Sequence, residues 1–493
     1  MFKVSHPLWR TPVSLLFRLI LSINALLLAT VAMGTQAAAF DLLIENATVI
    51  DVRTGKAIPN SMVAVEGSKI TYVGPNDPDT VVKAGTVIDG TGKYIIPGIW
   101  DMHVHLEGTD LIEDNELLFP VFLAHGITTV RDAASDLGEQ VLIWRDEINE
   151  GKRQGPTIYT AGRKLEGIDS LWKGDLEIGT EKELASMLDY LEAKKVDFVK
   201  ITENTLKGPL FLKSIQEAKA RGFKVSTHIP QGLTIPEMVD SGLSSIEHAS
   251  YMLRLGADHA GIVAKVKSGQ LTSAEANALY RETFSQEVAN KAYAKLGQTD
   301  LAVTPTLIGG GKLAYLAETD HSDDALLQYL TKRFTSKYQW RIDRMKNDTA
   351  ADKQARKDRY ALIKAQLVPM HEAGITLLAG SDSAAINTYV YPAQGLHEEL
   401  EIFEDAGLIP ADILRMATLN GADFMGDTMR GELLAGKQAD IVILNSNPLE
   451  TIRATQDIEA VIKGGQYFSR ARLDTMLHDA ASRKQALDAA RQE

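Results

Sequence analysis

Two histidines one residue apart, His103 and His105 in "PGIWDMHVHL" (97–106), follow a Pro-Gly turn inside an apolar run. Side chains alternate faces along a strand, so both imidazoles point one way while Met102 and Val104 point the other. Two imidazoles converging at a strand end are what a divalent metal needs. Groups with the same chemical capacity close apolar runs further along. They are Lys200 in "VDFVKIT", His228 in "KVSTHIP", His248 in "SSIEHAS" and Asp382 in "GITLLAGSD". A lysine inside an apolar run must be neutralised or paired, because burying its charge alone is costly. The chain has no cysteine, which excludes a thiol nucleophile, a thiolate metal site and a lipid-bearing cysteine anchor. Metal would have to be held by His, carboxylate or a modified Lys.

These groups need elements that bring them together. Residues 98–425 alternate short apolar runs with helical stretches, the pattern of βα units around a parallel sheet. Strands are expected at 99–105, 126–132, 156–161, 196–201, 223–228, 244–248, 301–306 and 375–381, which predicts an α/β fold, a (β/α)8 TIM-like barrel. The metal-capable groups then fall at the ends of strands one, four, five, six and eight, on the face where such barrels carry their chemistry. Long connections follow strands six and seven (252–300 and 308–370), as walls or lids over the site or as enlarged surface helices. Residues 40–97 and 426–469 share a β-texture of branched residues and Gly, Asn and Asp turns. Both chain ends are therefore expected to build one small β-sandwich, with a terminal helix over 470–493.

The first 39 residues have a basic start without acids, an apolar run and a small-residue stretch, "TQAAAFD". That layout predicts a secretory signal cleaved after Ala39, with a retained membrane anchor as the alternative. The expected destination is secretion, into the periplasm of a double-membraned bacterium. Losing three basic residues would take the net charge from −13 to −16. Such a surface argues against nucleic acid and for a small-molecule substrate, with no membrane partner after cleavage and a homo-oligomer left open. At 45% apolar residues the chain has material for a large core.

Several stretches together, "PGIWDMHVH", "GITTVRDA", "VKIT", "IEHAS", "TPTL", "AGSDSA", "ATLNGADFMG" and "GELLAGKQADIVILNSNPL", resemble the metal-dependent amidohydrolase superfamily across nearly all of 41–468. The likeness is greatest to its imidazolonepropionase-like proteins and Xaa-Pro or Xaa-Arg dipeptidases. The resemblance implies that His103 and His105 hold one metal with Asp382, and that His228 and His248 hold a second. It also implies that Lys200, carboxylated by CO2, bridges the two ions. An unmodified Lys200 with a single metal is the alternative. Zinc is the leading metal, because imidazole and carboxylate suit it; manganese, cobalt and iron share those ligands. Asp382 would take the proton of the attacking water and pass it to the leaving nitrogen.

The expected activity is hydrolysis of an amide-type C–N bond in a dipeptide or N-acyl amino acid. A lactonase or carboxylesterase, an imidazolonepropionase-like cyclic-amide hydrolase and a non-catalytic binding protein are the alternatives. Tyr251, three residues past His248, either reaches substrate or packs. Arg131, beside Asp132 at the end of strand two, either lines the pocket or pairs structurally. Among the other histidines, His125 and His371 precede strands and are expected to be structural, and His397 to pack or cap. His259, His321 and His478 sit in polar helical stretches and are expected on the surface.

Overall fold

A computed structural model of the protein describes Met1 and residues 39–76 and 83–491. The expected leader lies outside the described residues apart from its two ends. Five strands open the described chain: β1 (Ala39–Asp51), β2 (Lys56–Glu66), β3 (Lys69–Pro75), β4 (Lys83–Asp89) and β5 (Tyr94–Pro97). Eight strands build the barrel wall: β6 (Ile99–Val104), β7 (Ile127–Asp132), β8 (Thr157–Thr160), β11 (Val199–Ile201), β12 (Val225–Thr227), β13 (Ser245–Glu247), β14 (Ala302–Thr304) and β15 (Thr376–Leu377). Two short additions, β9 (Leu165–Gly167) and β10 (Leu176–Ile178), follow β8. The chain returns to the first sheet through β16 (Ile441–Leu444), β17 (Ile458–Lys463) and β18 (Gln466–Ser469).

The barrel strands pair in parallel as β6-β7-β8 and as β11-β12-β13-β14-β15. Backbone bonds join these groups at both gaps. Asp197 N–H donates to Thr160 O at 2.9 Å, and Met102 and Asp382 N–H groups donate to Ala379 and His103 carbonyls at 2.8 and 2.7 Å. The ring is thereby closed. The eight strands lie where the periodicity predicts them. β9 and β10 are additions, with Leu165 opposite Ile201 of β11. Their three-residue runs are too short to show a period-two pattern against their charged flanks.

Two glycines set close approaches at the site. A Cβ on Gly98 would lie 2.0 Å from Thr128 Oγ1, so the turn into β6 admits no side chain. A Cβ on Gly380 would lie 2.8 Å from His103 N and 2.6 Å from Thr304 Cγ2. That contact brings the chain after β15 against β6, and so Asp382 against His103.

The end strands form one continuous sheet, ordered β18-β17-β16-β5-β1-β2-β3 with β4 added to β1. The two chain ends meet where β16 runs antiparallel to β5, Ile441 opposite Pro97 and Leu444 opposite Tyr94. The composite β-domain expected from the β-texture of both ends is thus formed, its strands hydrogen-bonded in one continuous path. Leu42, Ile44, Val63, Ile95, Ile441 and Ile462 from both ends share one core. The terminal helix runs Arg470–Ala490, burying Leu473, Met476 and Ala480.

Two of the histidines expected at the surface are buried. His259 is bonded to Tyr280 Oη (2.8 Å) and accepts from Ile235 N–H (3.1 Å). Its helix, His259–Lys267, folds against Ser273–Glu282 and hides a polar stretch. His321 bonds Asp324 at 2.7 Å and stacks on Tyr389, ring centroids 4.0 Å apart. His478 is exposed. His397 is buried between Thr455 Oγ1 and His125 O, a packing role. His125 and His371 bond Val121 O and Asp412.

Candidate metal centre

The ends of β6, β12 and β13 carry two imidazole pairs, and the turn after β15 carries the Asp382 carboxylate. His103 Nε2, His105 Nε2 and Asp382 Oδ1 form a triangle with all three sides 3.3 Å. His228 Nε2 and His248 Nε2 stand 3.1 Å apart, and the His103 and His248 rings lie 5.2 Å apart. Each imidazole is fixed through its other nitrogen. His103 Nδ1 bonds Glu247 Oε2 (2.7 Å), His105 Nδ1 the Ala134 carbonyl (3.0 Å), His228 Nδ1 Glu203 Oε2 (2.9 Å) and His248 Nδ1 Thr306 Oγ1 (2.6 Å). Thr306 donates its own proton to Pro305 O, so its oxygen accepts from His248. With all four Nδ1–H groups engaged, four Nε2 lone pairs face inward, the arrangement by which outer partners orient metal-binding histidines.

Backbone strain aims some of these groups. His248, Thr306 and Asp382 have φ of 76°, 49° and 58°, a region costly for residues with a Cβ and concentrated at functional sites. The turn at His248 lets the sequence neighbours Glu247 and His248 both serve the site, which plain alternation forbids.

Electrostatics favour neutral imidazoles at His103 and His248, a protonated one at His105 beside Asp382, and an ionised Asp382 carboxylate. Burial pushes His103 down to about 4 and His248 well below its ordinary value. His105 is pushed up to about 9, its bond to Asp382 outweighing burial. Burial would raise Asp382, but the surrounding histidines hold it far below the carboxylate range. Lys200 is 2% exposed, its Nζ has no hydrogen-bond partner among the described residues, and burial depresses it to about 8.

The residues present fit a metal. Donors around an ion with bonds of ~2.0–2.2 Å stand roughly 3.3–3.6 Å apart in a tetrahedral site, and the His103–His105–Asp382 triangle has that spacing. The His228–His248 imidazole pair lies beside this triangle, the His248 ring 5.2 Å from that of His103.

Arg131 is not a substrate contact. It is fully buried inside the barrel beneath the site. Its Nε donates to Met102 O, and its other nitrogens donate to Ser226, Thr304 and both Glu247 oxygens. Asp132 does not pair with it, but accepts from Leu106 N–H and Thr160 Oγ1. An arginine inside a barrel needs a carboxylate, and the only one bonded to it among the described residues also holds His103. Replacing Glu247 by Ala should therefore destabilise the fold by about 3–5 kcal/mol, since it strands a buried charge. Urea denaturation measures this, and an unchanged midpoint would show that Arg131 finds another partner.

Tyr251 Oη donates to Glu203 Oε1 at 2.8 Å and its ring lies 5.9 Å from His228. It lines a compartment beside the site. Glu247, Glu203 and Thr306 do not stand out in the sequence. Glu247 has one signal, an acid closing an apolar strand directly before a ligand-type histidine.

A cavity of about 390 Å³ opens over the centre. His248 and Asp382 line it, and the connection 308–370 supplies Leu313, Arg341, Arg356 and Arg359. That connection is a wall of the site.

The amidohydrolase family pattern matches residues 94–467, which takes in every residue of the centre. The chain belongs to the amidohydrolase family. Among solved structures, bottromycin amidohydrolase superposes with a TM-score of 0.71 at 19% identity, over 90% of each chain. A putative prolidase from Bifidobacterium longum does so with a TM-score of 0.62 at 23% identity, over 89% of this chain and 98% of that one. At such identities the likeness establishes the fold, a barrel with a separate sheet from the chain ends. By sequence, adenine deaminase 3 of Rhizobium meliloti (strain 1021) is 34% identical over 103 residues, 21% of this chain and 17% of that protein. Matches to such curated relatives span less than a fifth of their length.

Proposed function

We propose that this amidohydrolase is a secreted, dinuclear metal hydrolase that cleaves the amide bond of a dipeptide or N-acyl amino acid. The observation that carries the reading is the partnerless Lys200 nitrogen, buried near two imidazole pairs beneath a cavity sized for a small molecule. His103, His105 and Asp382 would hold one ion and His228 with His248 the other. A carbamate formed on Lys200 from CO2 would replace a buried cation by an anion with two oxygens, one for each ion. Zinc suits this donor set. Divalent ions held there would polarise the scissile carbonyl and acidify a water.

The chain's own residues do the rest. Glu247, Ala134 O, Glu203 and Thr306 keep the four imidazoles oriented. Asp382, lining the cavity, takes the proton as the water's oxygen bonds to carbon, and delivers it to the nitrogen as the C–N bond breaks. The connection 308–370 walls one side of the cavity in which these steps would run. Secretion is supported by the leader-like first 39 residues, with their basic start and apolar run.

The test is metal analysis of the purified protein together with a screen of dipeptides, N-acyl amino acids, aryl esters and adenine. Release of free amino acid with close to two equivalents of zinc is the expected result. Turnover of esters or adenine alone would replace the amide reading.

A further inference from the structure

The walls of the site hold arginines with no carboxylate in ion-pair contact among the described residues, although acids outnumber bases in this chain, 65 to 52. Arg341, on the helix Gln339–Met345, lines the main cavity with Asp382. One of its terminal nitrogens donates to Asn387 Oδ1, its Nε is buried without a partner, and no carboxylate pairs with it among the described residues. Asn387 in turn donates to the Asp382 carbonyl at 2.5 Å, so this guanidinium is tied to a metal-ligating residue. Past Ser250 and Arg359, which line both spaces, lies a side compartment of about 250 Å³. Its charged lining is Glu203, Arg254, Arg281 and Arg359. Glu203 is taken by His228 and Tyr251. Arg254 donates to Ile229 and Pro230 carbonyls and lies over two tyrosine rings. Arg281, on Ser273–Glu282, and Arg359, on Ala350–Lys364, have no carboxylate partner among the described residues.

By contrast, Arg356 in the same wall is paired with Asp348 at 2.5 Å. Burial and the charge of Arg281 hold the Arg359 guanidinium below its usual value. Two cations facing one compartment repel until an anion enters, and guanidinium is the side chain best shaped for a carboxylate.

We propose that this enzyme selects substrates with two carboxylates, one met by Arg341 beside the metal centre and a second by Arg281 and Arg359 in the side compartment. The preferred substrates are then dipeptides or N-acyl amino acids bearing an acidic side chain. This rests on the amide-hydrolase reading above and narrows it to one class.

The test compares kcat/KM for N-acetylglutamate with N-acetylglutamine, and for aspartyl- and glutamyl-containing dipeptides with their amide counterparts. A preference of tenfold or more for the acidic member is expected, carried by KM. In Arg281→Gln and Arg359→Gln the ratio should fall toward one. As a check that needs no variant, glutarate should inhibit the wild-type enzyme competitively and glutaramide should not. Equal rates for both members of each pair, with no inhibition by glutarate, would overturn the proposal while leaving amide hydrolysis standing. An acidic preference that survives both variants would place the second carboxylate elsewhere and overturn it as well. Absence of hydrolysis for every amide would remove the reading on which it rests.

Discussion

Replacing Lys200 by alanine is expected to lower bound metal from two equivalents to about one and to cut kcat/KM by roughly a thousandfold or more. The reason lies in the surroundings of that nitrogen. It has no hydrogen-bond partner among the described residues, and its charge influences mix Glu247 and Asp382 with Arg131. A fully buried ammonium without a hydrogen-bond partner is a costly ground state. On the proposed reading, a carbamate formed on Lys200 would remove that cost and offer oxygen ligands in its place. Alanine leaves His228 and His248 as an isolated imidazole pair with two donors, too few for a closed site. Metal analysis by atomic emission, with CO2-free and bicarbonate-supplemented preparations side by side, reads the result. Two equivalents retained in Lys200→Ala would show that the lysine bridges nothing. A large fall in stability with metal unchanged would give it a purely structural place.

How far the sequence discloses this arrangement depends on which rule positions each group. His103 and His105 obey strand alternation, and Lys200, His228 and His248 close apolar runs at the same end of parallel strands, so spacing alone points them at one place. Asp382 follows the same logic but reaches its position through a positive φ and the close passage at Gly380. The residues that hold the ligands in place are less legible. Glu247 and Thr306 depend on turns at His248 and Thr306 that reverse the expected facing. Glu203 lies beyond a strand end, where period-two reasoning stops.

Arg131 shows a different limit. Its position on β7 is readable, but whether an inward arginine at a strand end faces substrate or the barrel interior is decided by its partners, here Glu247, Ser226 and Thr304 across the barrel. The arginines of the cavity wall come from helices in the two long connections, and their convergence is a matter of tertiary packing with no sequence period. His259 and His321 were hidden for the same reason. Polar helices look exposed one at a time, and burial arises only when they fold on one another. The sheet from the chain ends follows from texture, but its strand order depends on long-range pairing, above all β16 with β5.

The second large effect concerns Asp382. Substitution by asparagine removes the charge but keeps the shape, an oxygen ligand and the backbone bond to His103 O. At least one equivalent of metal should therefore remain, with stability close to that of the parent. Turnover should fall by at least a thousandfold, because an amide cannot accept the proton of an attacking water or return one to a leaving nitrogen. The split between binding and rate is the diagnostic. A pure ligand would lose metal and activity together and regain both when metal is added in excess. A proton carrier would lose kcat with KM little changed and stay inactive at saturating metal. Substrates with a leaving group that needs no protonation, such as an aryl ester with an acidic phenol, should recover part of the loss. Equal losses for amide and activated ester would confine Asp382 to delivering the first proton step, the activation of water. Full activity in Asp382→Asn would remove it from proton transfer altogether and leave another group lining the cavity to do that work.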